Sequence, residues 1–189
     1  MHPAEHRGLR ELYVMARRLC DHWRALAGRL ESGATEQAAL LREGSDVARG
    51  LIGELTDVTA ARGLHGRPAA QGLGARLASL HSLLLDTTLE VNQALRFAVL
   101  DVVRVVTLLD YLAALARADG DAELEAFLAG WSPRMRVQEE AIRATAVSVA
   151  ETPDAAIRAA TPGLAGRIVH GAAAAVGTLG EWVDGRAAR

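Results

Sequence analysis

Apolar residues recur along most of this chain in alternating steps of three and four, the spacing that keeps one face of an α-helix continuous. The first run carries Leu9, Leu12, Ala16, Leu19, Trp23, Leu26 and Leu30, with Tyr13, Cys20 and Ala27 widening the seam, and predicts a helix from about Ala4 to Leu30. A second run through Leu41, Ala48, Leu51, Leu55 and Val58 predicts a helix from about Thr35 to Arg62. Gly44 interrupts that seam, and a position without a side chain calls for packing either closer or looser than its surroundings.

Beyond a loop around Gly63, Gly66 and Pro68, a pattern without proline runs to about Ala118. Its seam reads Leu73, Leu77, Leu80, Leu84, Thr87, Val91, Leu95, Ala98, Val102, Val105, Leu109, Leu112 and Ala116. Two consecutive steps of four, from Thr87 through Val91 to Leu95, form a stutter that relaxes a left-handed supercoil. Unbroken, such a helix would extend about 70 Å at its rise per residue, against a diameter of about 40 Å for a compact chain of this length. Either the bundle is elongated, or the helix breaks near Thr87, Thr88 and Asn92, or its second half projects into a partner. That half, Leu95 to Ala116, is apolar around most of its circumference. Arg96, Asp101, Arg104 and Asp110 interrupt it, and charges are costly at the centre of a bilayer, so it reads as a central bundle helix.

Helix punctuation completes the outline. Ser132-Pro133, Thr152-Pro153 and Thr161-Pro162 each place a capping side chain before a residue suited to a first helical turn. Gly33, Gly63, Gly120, Gly130 and Gly185 are candidate stops. A short amphipathic piece with Leu124, Phe127, Leu128 and Trp131 is therefore expected before a separate helix from Pro133 to about Ala150. The last helix, from about Pro162 to Asp184, is rich in Gly and Ala. Glycine costs nearly 1 kcal/mol of helix propensity relative to alanine, so these residues call for a neighbouring backbone at close range.

The fold expected is all-α: an elongated, four-helix-like multi-helix bundle with one long central helix and a small-residue-rich C-terminal helix. Residues 1–160 form the bundle. Residues 161–189 form an amphipathic helix packed on it or used for assembly, with Leu164, Ile168, Ala172, Ala175, Leu179 and Trp182 as its candidate interface.

Composition narrows the functional classes. The 21 basic and 23 acidic residues leave a net charge of -2, and they are interleaved without blocks, which argues against nucleic acid as a partner. Every basic residue is Arg, in keeping with a GC-rich, bacterial-like composition. Schiff-base, P-loop and kinase lysines are therefore excluded. The single Cys20 lies on an apolar face and reads as a small core residue. The first residues contain no apolar signal segment, and the cytoplasm is the expected location.

Candidate chemistry is sparse. His2 and His6 stand one turn apart with Glu5 beside them, a spacing that can present two imidazoles to a metal, yet no third ligand is identifiable. The paired Glu-x-x-His repeats of di-iron bundles are absent, as is a nucleophile elbow. No catalytic residue, cofactor or metal is therefore assigned, and no small molecule is identified. The leading expectation is a non-enzymatic helical interaction or assembly protein that binds itself or another protein. One alternative is a helical-bundle binder or enzyme holding an apolar ligand, a haem-like group or a metal between helices, with His81 or His22 as polar contact. Another is reversible association of the last helix with a membrane surface.

Overall fold

The computed structural model describes residues 2–31, 33–64 and 89–160. Four long helices pack against one another: α1 (Pro3–Leu30), α2 (Thr35–Ala61), α3 (Val91–Asp119) and α4 (Ala122–Ser148). A single 3₁₀ turn, Val149–Glu151, and a one-turn helix α5, Pro153–Ala156, follow. Among the described residues there is no strand, and the all-α bundle expected from the hydrophobic pattern is the architecture observed.

Side-chain contacts fix the arrangement. Cys20 meets Ser45 between α1 and α2, Trp23 meets Ala98 between α1 and α3, Trp131 meets Glu54 between α4 and α2, and Arg117 meets Glu125 between α3 and α4. The helices thus form a ring in the order α1, α2, α4, α3. In each neighbouring pair one residue number rises as the other falls, so all four neighbours are antiparallel. The diagonal pair α2 and α3 is parallel, which places Leu64, just after α2, and Leu89, just before α3, at opposite ends of the bundle.

Among the described residues the core contains the seams read from the sequence. Leu9, Leu12, Ala16, Leu19, Trp23, Leu26 and Leu30 are all buried, as are Leu41, Ala48, Leu51 and Leu55 of α2 and Leu95 through Ala116 at the seam positions of α3. Val58 is half-buried against them. At Gly44 packing is closer, not looser: a Cβ there would run into the indole of Trp23. Trp23 is fully buried, and its Nε1 donates to the Ala98 carbonyl at 3.3 Å.

Two expectations about helix ends are settled. First, of the three readings of the long helical pattern the break is the one observed, since the pattern does not pass unbroken through residue 90. Glu90 is extended, with φ -73° and ψ 157°, and its backbone N–H donates to the Gln93 side chain at 3.1 Å to start α3. The preceding backbone is held to the segment after α4, with Val91 N–H bonded to the Arg158 carbonyl and Ala160 N–H to that of Leu89, both at 2.9 Å. Helices of 27 to 29 residues are about 40 Å long, which removes the conflict with a compact diameter. Second, α4 continues through Gly130 and Pro133, so Ser132-Pro133 is not a start. Tertiary contacts on both sides of the proline outweigh the local cue: the Trp131 Nε1–H bonds Glu54 at 2.8 Å, the Ser132 hydroxyl bonds Asp110, and Met135 is buried. Gly120, by contrast, ends α3 in the left-handed conformation at φ 75°, as its lack of a Cβ permits.

Candidate interaction surface

Because α3 occupies a corner of the ring, touching α1 on one side and α4 on the other, part of its circumference is covered by no other described helix. At 3.6 residues per turn, Phe97, Leu100, Arg104, Leu108, Tyr111 and Leu115 fall within an arc of about 80° on the outer side. Phe97 is 48%, Leu100 51% and Tyr111 52% exposed, while Leu108 and Leu115 are half-buried at the margins. Arg104 is the only charge in the stripe. Of the exposed large apolar residues among those described, these three cluster on one helix face, whereas Val137, Val147 and Ile157 lie elsewhere, and single exposed apolar residues are ordinary. The stripe is about 27 Å long at the helical rise and about 10 Å wide, hence about 300 Å², the size of the largest, often functional, patch on a monomer.

Polar groups border it. On the α1 side His22 Nδ1 and Asp101 Oδ2 form a short, largely buried pair, and Glu11 and Arg18 are exposed along the same edge of α1. On the α4 side Asp110 accepts from Arg136 and Ser132. His22 thus spends one ring nitrogen on tying α1 to α3.

His2 and Cys20 have structural partners. His2 caps α1: its Nδ1 accepts the Ala4 N–H at 3.1 Å, while Glu5 Oε2 accepts the His2 N–H at 2.8 Å. This reciprocal capping occupies His2 and Glu5, and among the described residues no group of three or more ligating side chains could hold a metal. Cys20 is buried with Sγ 3.4 Å from the Ser45 hydroxyl, which in turn donates to the Cys20 carbonyl at 2.9 Å. A pocket of about 130 Å³ lies at the bundle end beside Arg29, Gln37, Val91, Thr152 and Arg158. Its volume is that of about four waters, below the range of about 300 Å³ upward typical of drug-sized ligands.

The expected interface at Leu164, Ile168, Ala172, Ala175, Leu179 and Trp182 lies outside the described residues, as do His81 and the seam from Leu73 to Thr87. The α3 stripe did not emerge as a site from the sequence. Its signal was present in the near-continuous apolar circumference of Leu95 to Ala116, but which side stays uncovered depends on the order of helices in the ring. Among the described residues no helix is long and apolar enough to cross a membrane. No family model matches the chain, and comparisons with curated proteins and with solved structures find no match.

Proposed function

We propose that this protein is a non-enzymatic helical assembly protein of the cytoplasm that associates with a second copy of itself through the outward face of α3. The observation that carries this reading is the uncovered stripe of Phe97, Leu100, Leu108, Tyr111 and Leu115, with aromatic residues near both ends. Apolar surface left in water is worth about 25 cal/mol per Å² when covered. An area of about 300 Å² per copy is less than half the ~800 Å² per partner of a standard stable interface. The association expected is therefore reversible and dependent on concentration.

The test is the solution mass by light scattering from micromolar to millimolar protein, with the wild type beside Leu100→Asp/Tyr111→Asp. Both changes are at exposed positions, so helicity by circular dichroism should be unchanged. A wild-type mass rising with concentration and a variant fixed at monomer supports the reading. Wild-type protein that stays monomeric throughout, or a variant that associates as the wild type does, overturns it.

A further inference from the structure

Resting on that reading, we infer that the two copies meet antiparallel, with the two-fold axis crossing α3 between Arg104 and Leu108. The stripe is nearly the same read in either direction. From Phe97 forward its residues stand at steps of three, four, four, three and four. From Leu115 backward the steps are four, three, four, four and three, so the two series never differ by more than one residue. Turning one copy end over end sets Phe97 against Leu115 of the second copy, Leu100 against Tyr111, and Arg104 against Leu108, in each case twice.

The single charge in the stripe favours this direction, since the antiparallel register offsets the two Arg104 by four residues, about 6 Å along the axis. A parallel pairing would bring Arg104 against its own counterpart at equal height, two guanidiniums inside an apolar contact with no carboxylate in the stripe, and like charges so placed repel. In the antiparallel register the apolar stem of Arg104 covers Leu108, as long cationic side chains do at apolar edges, and its guanidinium reaches the ring of Tyr111 in the second copy, a favourable cation–aromatic placement.

The flanking helix agrees with this axis. Asp101 lies at the height of His22, Ala98 at that of Trp23, and Leu112 at that of Gly8. The midpoint of the stripe is therefore level with about Met15 of α1. Glu11 and Arg18, both exposed on the α1 edge, stand on either side of that level. The same two-fold rotation sets the Glu11 of each copy opposite the Arg18 of the other, so the flanks attract.

Disulfide trapping tests the register separately from the association. In a Cys20→Ala background, Phe97→Cys and Leu115→Cys chains are oxidised alone and as an equal mixture, and run on a non-reducing gel. The antiparallel register predicts a linked dimer in the mixture and none in either chain alone, since two copies of residue 97 would lie about 27 Å apart along the axis, well beyond disulfide reach. Adding Leu100→Asp to both chains should abolish the linked band. A self-linked Phe97→Cys dimer would show a parallel pairing. An unlinked mixture whose wild-type parent still dimerises by light scattering overturns the register and leaves the proposed function standing. A monomeric parent removes both.

Discussion

At Gly44 the missing side chain is what lets α2 approach α1. The indole of Trp23 fills the space a Cβ would take, and the Gln138 side chain closes it from α4 with Oε1 3.1 Å from that point. Two effects compete when a methyl group is added. Alanine gains nearly 1 kcal/mol of helix propensity over glycine, while overpacking a filled core costs about 1–3 kcal/mol. Trp23 is fully buried and cannot swing aside, so overpacking wins. Gly44→Ala should lower the urea midpoint, whereas Gly53→Ala, on the same helix with nothing within 4 Å of the added carbon, should raise it by the equivalent of about 0.5–1 kcal/mol. Two midpoints moving together would refute this account of Gly44.

The helices themselves show what a linear reading can and cannot reach. The ends of α1 and α2 and the buried positions of α1, α2 and α3 follow from apolar spacing, because a seam that meets its neighbours along its whole length is a local pattern with a uniform consequence. The start of α3 follows from it only in part. The stutter at Thr87, Val91 and Leu95 marks the place where a break is one of three readings, but what ends the pattern there is a Gln93 cap and bonds to Ala156, Arg158 and Ala160, some 65 residues away. Pro133 is the opposite case: a strong local cue overruled by contacts to α2 and α3. Ala129 and Pro133 both face solvent, so the carbonyl deprived of its helical partner can be hydrated, and the cost stays tolerable. Pro133→Ala should restore that bond and stabilise the protein by about 1–3 kcal/mol. A denaturation midpoint that does not move would mean that α4 is already relaxed around the proline. The outward stripe of α3 belongs with the unreadable part, since exposure is a property of the ring and not of the helix.

Across the whole molecule, one ion pair ties ends that are distant in sequence. Arg62, just past α2, donates to both carboxylate oxygens of Asp121 at 3.0 and 3.1 Å, and Asp121 also caps α4 by accepting the Leu124 N–H at 2.9 Å. The Leu124 N–H, then the Arg62 guanidinium, hold the Asp121 carboxyl below its ordinary range, against a desolvation that acts the other way. A carboxyl whose pKa is lower folded than unfolded contributes stability above its unfolded value near 4, and loses it as pH falls through the folded value. Asp121→Asn keeps a capping oxygen but not the charge. The variant should be less stable than wild type by about 1 kcal/mol at neutral pH, with the gap closing below pH ~4. A gap that stays constant across that window would show that the charge plays no part.

The antiparallel ring has an electrostatic consequence. Each long helix carries roughly half a positive charge at its N-terminus and half a negative one at its C-terminus. With α1 and α4 pointing one way and α2 and α3 the other, either end of the bundle gathers two of each sign, and every partial charge has opposite ones on both adjacent helices. Neither end therefore presents the concentrated dipole field that draws ions to an isolated helix terminus. On the proposed reading a second copy is met at the side of the bundle, where these end charges play little part.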